Sequence, residues 1–248
     1  MKVLFYAGCL INQFYPEIGH ASVRVLREHN VEVTVGEEKC CGISAFASGD
    51  MNGARKTARW NVEAFAREPV DVIVTSCPTC AMVFKEYPWL FRRDEGEFHE
   101  KLLSVVDKIH ELSEFVVNHL DFKPPRGRLH KKVTFHDPCH LHYELGITEE
   151  PRTLIHAIDG VEFVEMERPD LCCGFGGFFS LLDHHDLSST INDRLIAQVR
   201  ATGAELVVDA CPPCILQLRE GFYRQGITHI QVQHVAELLD EAYRSKDR

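Results

Sequence analysis

Ten cysteines are the residues of this chain whose spacing could support metal or redox chemistry. They form two sets of five in the same order, a single cysteine, an adjacent pair and a Cys-x-x-Cys motif: Cys9, Cys40, Cys41, Cys77 and Cys80, then Cys139, Cys172, Cys173, Cys211 and Cys214. A glycine follows each adjacent pair, and a proline follows the first cysteine of each Cys-x-x-Cys. Equivalent cysteines lie 130 to 134 residues apart, so the sequence is an internal duplication.

The duplication predicts two modules of similar size, residues 1–122 and 133–248, joined by a linker at 123–132. Lys123-Pro-Pro-Arg-Gly127 marks the linker because its prolines and glycine interrupt both helical and strand periodicity. Each module closes on a similar pattern, predicted to be helical, that begins at His110 in the first module and at His234 in the second.

Short β-branched segments precede the cysteines and predict strands, which alternate with segments of helical periodicity. Alternating strands and helices indicate a parallel sheet with helices on both faces, so we expect an α/β fold of two tandem, pseudo-symmetric Rossmann-like modules. The carboxyl ends of parallel strands meet at one edge, which brings distant cysteines together. The predicted strands are 3–6, 31–35, 70–75, 133–135, 161–164 and 205–209, and the helical segments include 21–29, 53–67 and 191–202.

Composition excludes several classes of function. The formal net charge of −10 argues against binding nucleic acid through its phosphates. No apolar stretch approaches the roughly 18 residues of a membrane-spanning helix, and the N-terminal apolar run is too short for a signal peptide. We therefore expect a cytoplasmic protein with reduced thiols, because disulfides are rare in that compartment.

Four kinds of cysteine chemistry compete for these thiols. Disulfides are disfavoured because adjacent cysteines rarely pair with each other. Zinc suits four thiolates, but its motifs usually contain two Cys-x-x-Cys pairs and each module has one, with a fifth cysteine in excess. Covalent haem needs histidine after Cys-x-x-Cys, where this chain has Ala81 and Ile215. Iron–sulfur clusters remain the best interpretation, with zinc as the alternative.

The repeated pattern of one cysteine, Cys-Cys-Gly and Cys-x-x-Cys resembles the cysteine-rich, or CCG, domain family over essentially the whole chain. Its members include the CCG-domain component of heterodisulfide reductase and the Fe–S subunits of glycolate oxidase, anaerobic glycerol-3-phosphate dehydrogenase and the lactate-utilisation complex. Residues 146–152, 160–166 and 172–180 are similar to the lactate-utilisation subunit. That subunit tends to lack the first cysteine of each Cys-x-x-Cys, whereas this chain keeps Cys77 and Cys211.

The resemblance implies two [4Fe–4S] clusters of non-cubane geometry, one on each set of five cysteines, with zinc in one module as an alternative. It implies a redox subunit that transfers electrons between a flavin- or ferredoxin-type Fe–S partner and an acceptor, by disulfide reduction as in heterodisulfide reductase. One alternative is the Fe–S subunit of a lactate- or glycolate-type 2-hydroxyacid dehydrogenase or quinone-linked complex, peripheral to the inner membrane through its partners. An alternative of another class is a zinc-binding scaffold without redox activity.

Two histidines beside Cys139 are candidates for catalysis. His136 and His140 could deliver a proton to a thiolate leaving group, since imidazole titrates near neutral pH. Hydrogen bonding around the cluster, or simple exposure, is the competing interpretation. The first module has Tyr6-Ala7-Gly8 in the same place, so the second module is the predicted site of any such chemistry.

Overall fold

Each half of the chain folds into a four-stranded parallel sheet, and the two sheets have the same strand order. A computed structural model describes residues 1–37 and 39–245. The first sheet has the order β2-β1-β3-β4 and the second β6-β5-β7-β8, so β1 corresponds to β5 and β3 to β7. The strands are β1 Lys2–Tyr6, β2 Glu32–Thr34, β3 Val72–Thr75, β4 Ile109–Glu111, β5 Arg128–Phe135, β6 Asp159–Phe163, β7 Leu206–Asp209 and β8 Gln231–His234.

Helices connect the parallel strands and cover the sheets. In the first half they are α1 Gly8–Phe14, α2 Pro16–Glu28, α3 Ile43–Ala47, α4 Met51–Arg67, α5 Pro78–Leu90, α6 Glu97–Val106 and α7 Leu112–Asn118. In the second half they are α8 Glu149–His156, α9 His185–Thr202, α10 Pro212–Arg224 and α11 Val235–Arg244, with π-helical turns at His140–Glu144 and Phe179–Asp183. The expected α/β fold of two Rossmann-like modules is confirmed.

The sheets are buried on both faces. Along β1, Val3 and Phe5 belong to one hydrophobic cluster, whereas Leu4 and Tyr6 belong to a second. Alternate residues of a strand point to opposite faces, so helices must cover both sides of this sheet. The second cluster also contains the buried cysteines of both modules.

Three local predictions differ from the structure. Strand β5 begins at Arg128, inside the segment predicted as linker, because Arg128 pairs with Asp159 of β6 and Leu129 is buried. His110 lies in strand β4 and His234 ends β8, although the sequence pattern predicts that both begin helices. The helices start later because the side chains of Glu111 and His234 cap them, accepting hydrogen bonds from backbone N–H groups of the first turn.

The two modules share a core. Val3 and Phe5 of β1 and Val133 and Phe135 of β5 belong to the same buried cluster, to which helices α2, α7, α8 and α11 contribute. Helix α2 packs against α11, and α7 packs against α8. The internal duplication is therefore joined through helices from both halves rather than through the linker alone.

Polar contacts fix the orientation of the modules. Arg24 of α2 makes two hydrogen bonds of 2.7 Å to the carboxylate of Asp240 on α11, and the Asp240 side chain is only 4% exposed. The buried His234 ring bonds through Nε2 to the carbonyl oxygens of Ser76 and Ala210, which belong to different modules.

Within the described part of the chain, no helix is both long and apolar enough to cross a membrane.

Replacing Arg24 with alanine should weaken the packing of the modules. The change leaves the Asp240 carboxylate with one charged neighbour, Arg244 at 3.1 Å. We expect a loss of about 1–2 kcal/mol in the free energy of unfolding, a modest value because nearly half of the Arg24 side chain is exposed. Urea denaturation measures it, and Arg27→Ala, at an exposed position of the same helix, is the control. Equal losses in the two variants would contradict a role for the Arg24–Asp240 pair.

Candidate functional site

Each Cys-x-x-Cys motif joins a strand to a helix at the carboxyl edge of its sheet. Cys77 and Cys211 follow β3 and β7 in extended conformation, and the next residue, proline, is the first residue of α5 or α10. Proline is favoured there because its missing N–H is not needed and its fixed φ suits a helix. The second cysteine of each motif therefore lies in the first helical turn, where interactions with neighbouring thiols, together with burial, raise its pKa well above the ordinary value. All four thiols are buried.

A left-handed glycine shapes each adjacent pair of cysteines. Gly42 has φ +95° and Gly174 has φ +88°. This conformation turns the backbone N–H back toward the first sulfur of the pair, 3.4 Å from Cys40 Sγ and 3.3 Å from Cys172 Sγ. At Gly174 a Cβ atom would also lie 2.5 Å from the carbonyl oxygen of Ser188. Space and conformation thus both require glycine at this position.

The single cysteines complete the two sets. Cys9 lies in the first turn of α1 after strand β1, and Cys139 precedes the π-helical turn after β5. A Cβ atom added at Gly8 would lie 3.1 Å from Cys80 Sγ, so the segment after β1 runs directly beside the Cys-x-x-Cys helix. Cys9 and Cys172 are exposed, Cys40 and Cys139 are half-buried, and the other six thiols are buried.

The structure brings the thiols of both sets into a continuous series of contacts. In the first module, neighbouring thiols shift one another's pKa values in a series that runs from Cys9 to Cys40, Cys41, Cys80 and Cys77. In the second, Cys173 Sγ lies 2.9 Å from Cys214 Sγ, Cys173 shifts the pKa of Cys172, and Cys214 shifts that of Cys211. Cys139 lies near Cys172 and Cys211.

Cys77 and Cys211 join the two sets. Their side chains hydrogen-bond to each other across the module boundary, and this bond, together with one from Cys80, lowers the pKa of Cys77 to about 5. In the second set, a hydrogen bond from Cys173 lowers the pKa of Cys172 to about 6. Because the thiolate rather than the thiol binds metals, each set holds a thiol in the form suited to metal binding.

Side chains at equivalent positions hold the cysteine loops in place. Tyr6 at the end of β1 donates from its hydroxyl to the carbonyl oxygen of Lys39, at 2.6 Å. His136, beyond the end of β5, contacts the equivalent carbonyl oxygen of Leu171 through Nε2, at 2.9 Å. Each of these carbonyls immediately precedes an adjacent cysteine pair. Tyr6 and His136 therefore hold the same backbone carbonyl in their respective modules, with different side chains.

Two asparagines also hold the adjacent cysteine pairs, one at the first cysteine of its pair and the other at the second. Asn61 of α4 donates to the carbonyl oxygen of Cys40 at 3.1 Å, and Asn192 of α9 donates to that of Cys173 at 3.0 Å. In the first module the Tyr87 hydroxyl adds a bond to the carbonyl oxygen of Cys41, at 2.8 Å. Motif spacing missed these residues, although the two asparagines lie 131 positions apart, within the offset of the duplicated cysteines.

The geometry around His136 favours a positioning role. The ring is fully buried, with Nδ1 2.6 Å from Asp209 Oδ2 and Nε2 bonded to a carbonyl oxygen. Burial alone would lower the pKa of His136, but the Asp209 carboxylate more than offsets this, so the pKa lies above its ordinary value. The other oxygen of Asp209 accepts a 2.7 Å bond from the N–H of Cys211. His136 therefore braces the Cys-x-x-Cys turn.

His140 contacts the opposite module. Its Nδ1 lies 2.8 Å from the Thr79 hydroxyl, and that hydroxyl lies 3.5 Å from Cys211 Sγ. Thr79 immediately precedes Cys80 in the Cys-x-x-Cys motif of the first module. The sequence gives no signal for this bridge, because a threonine inside Cys-x-x-Cys has no fixed partner. The proton-transfer role of His140 stays a prediction.

Comparisons with known proteins agree with these features. The sequence profile described as the CCG cysteine-rich domain matches residues 3–85 and 133–219. "Lactate utilization protein A" of Bacillus licheniformis is 36% identical over 97% of this chain and 99% of its own length. The protein of the same name from Halalkalibacterium halodurans is 33% identical over the full length of both chains.

One solved structure supports the fold. The crystal structure of a hypothetical protein from Helicobacter pylori superposes with a TM-score of 0.68 at 10% sequence identity. The match covers 99% of this chain and 49% of that one. At this identity the likeness concerns the fold alone, and it shows that the arrangement of both modules occurs within a larger protein.

Gly174→Ala should distort the Cys172–Cys173 turn. The new methyl group meets the Ser188 carbonyl in a conformation unfavourable to L residues, so we expect a loss of about 2–4 kcal/mol in the free energy of unfolding. Gly177→Ala is the matched control, since φ is +63° there and nothing lies within 4 Å of the added Cβ. It should cost only about 1–2 kcal/mol. Urea denaturation under anaerobic conditions compares them, and equal losses would contradict a steric requirement at Gly174.

Proposed function

Since the chain belongs to the CCG cysteine-rich domain family, we propose that it is an iron–sulfur electron-transfer subunit of a complex that oxidises lactate or a related 2-hydroxy acid. The observation that carries the proposal is the convergence of five thiols at the carboxyl edge of each sheet. The name lactate utilization protein A, borne by relatives that match over nearly their whole length, supports the substrate class.

The donor set fits iron–sulfur clusters. Each site offers thiolates and thiols, held by backbone N–H groups and hydrogen-bonded side chains, and such clusters are bound by cysteine thiolates. The proposed ligands are the two sets of five, Cys9, Cys40, Cys41, Cys77 and Cys80, and Cys139, Cys172, Cys173, Cys211 and Cys214. When bound, an iron–sulfur cluster accepts and donates single electrons.

The division between buried and exposed thiols fits a role in electron transfer. Six inner thiols are shielded from water, whereas Cys9 and Cys172 reach the surface, so a partner could approach either site there. Oxidation of a 2-hydroxy acid to a 2-oxo acid releases two electrons and two protons. The sequence has no flavin or nicotinamide signature, so a flavin-containing partner would take both electrons from the substrate and pass them to this chain singly.

Disulfide reduction of the heterodisulfide reductase type is the second candidate. The sequence pattern alone favours it, but the relatives named for lactate utilization favour the 2-hydroxyacid alternative. The feature that keeps it under consideration is the presence of both Cys77 and Cys211 in complete Cys-x-x-Cys motifs, with their side chains in contact. A zinc scaffold would leave one thiol of each five without a place in a tetrahedral site.

The proposed function is tested on anaerobically purified protein. We expect the protein to contain iron and acid-labile sulfide. In the presence of the flavin-containing partner, lactate should reduce the clusters, and their visible absorbance and EPR signals follow this reduction. A disulfide added to the reduced protein should leave those signals unchanged. Zinc without sulfide would exclude electron transfer, whereas reoxidation by the disulfide in the absence of other acceptors would favour the second candidate.

Cys77→Ser and Cys80→Ser separate the contributions of one Cys-x-x-Cys motif. If Cys77 is a fifth ligand, its loss leaves four thiols, so we expect iron to be retained with a changed EPR signal. Loss of Cys80 also leaves four thiols, but it removes the thiol that lies beside both Cys41 and Cys77, so it should remove iron from the first module. Iron analysis and EPR spectroscopy measure both effects. An unchanged spectrum in Cys77→Ser would mean that Cys77 is not a ligand.

A further inference from the structure

Three metal-binding side chains meet at the end of the first module, outside the two cysteine sets. His110 lies in β4, Glu114 in the first turn of α7, and His119 just after the last residue of that helix. His110 Nδ1 is 2.9 Å from one carboxylate oxygen of Glu114, and His119 Nε2 is 2.6 Å from the other. The three ligand atoms all lie within 4.8 Å of one another.

Packing fixes the two imidazoles before any ion binds. The fully buried ring of Phe115 stacks on His119, with centroids 5.8 Å apart and an interplanar angle of 17°. The same ring lies 5.6 Å from His110, and the two imidazole centroids are 4.4 Å apart. Ligands held in this way lose little conformational freedom on binding, which favours affinity.

The second module shows that the fold does not require this cluster. Glu111 and His234 cap α7 and α11 and therefore occupy equivalent positions. In this alignment Gln233 takes the position of His110, and Ala242 takes that of His119. Glu114 and Glu237 both occupy the third position of their helix. The carboxylate of Glu237 accepts a 2.8 Å bond from the N–H of His234 and completes the helix cap, whereas both oxygens of Glu114 bond to imidazoles.

We propose that His110, Glu114 and His119 form a zinc site. Two imidazoles and one carboxylate are a ligand set that zinc uses when it keeps one position for water. The ion replaces the protons through which the imidazoles now contact the carboxylate. The His119 side chain is 42% exposed, and those of His110 and Glu114 are about half as exposed, so an ion can enter from solvent. This site is independent of the proposed electron-transfer function.

The test uses the complete, iron-loaded chain, in which the thiols are occupied. Zinc chloride is titrated anaerobically, bound zinc is measured after desalting, and the first coordination shell is read at the zinc absorption edge. We expect one zinc per chain with only nitrogen and oxygen ligands at about 2.0–2.1 Å. His119→Ala and His110→Ala each remove a zinc ligand and should weaken zinc binding by more than about 100-fold. Loss of a residue that only hydrogen-bonds to a ligand weakens binding by roughly 10- to 100-fold.

His20→Ala, at an exposed position of α2, is the matched control and should bind zinc like the unmodified chain. Unchanged iron content and circular dichroism in the His119 variant would show that it folds. Sulfur ligands at about 2.3 Å, or equal affinity in all three variants, would overturn the proposal. If the chain holds no iron, the proposed function fails. The same zinc titration still tests the histidine site, because sulfur ligands would indicate zinc on the cysteines, whereas nitrogen and oxygen ligands would indicate zinc on His110, Glu114 and His119.

Discussion

The convergence of the ten thiols depends on one constraint, that the carboxyl ends of parallel strands meet at the same edge of a sheet. In each module the cysteines follow the first three strands, and the order β2-β1-β3 places the single cysteine between the adjacent pair and the Cys-x-x-Cys motif. Cysteines more than 30 positions apart therefore become neighbours because the strands that precede them pair in the sheet. Proline at the start of α5 and α10 sets the turn of each Cys-x-x-Cys motif, and the left-handed Gly42 and Gly174 shape the turn after each adjacent pair.

The two modules use the same thiol pattern with different supporting residues. Tyr6 and His136 hold equivalent carbonyl oxygens, and His136 is also paired with the buried carboxylate of Asp209. The second set of thiols thus lies beside a buried imidazole–carboxylate pair, and the first beside the Tyr6 hydroxyl. Because charge and hydrogen bonds near the sulfurs influence cluster potentials, the two proposed cluster sites need not be equivalent in electron transfer.

The sequence predicts the α/β fold and the grouping of the cysteines, since strand periodicity and the duplicated spacing are local properties. It does not predict the contacts between modules. The Thr79–His140 bond and the contact of Cys77 with Cys211 depend on how α2 packs against α11. No sequence motif specifies the orientation of these two helices. Burial of Leu129 likewise extends β5 into the predicted linker, because a short apolar segment next to proline and glycine gives an ambiguous pattern.

The contact between Cys77 and Cys211 changes how the duplication is understood. Two independent modules on a flexible linker would hold two separate sites. Here the shared core around Val3 and Val133, and the His234 ring that bonds to a carbonyl from each half, fix one orientation. In that orientation the thiol contacts run from Cys9 to Cys172 without interruption at the module boundary. The structural unit is therefore the pair of modules, because neither half alone contains both sides of this contact.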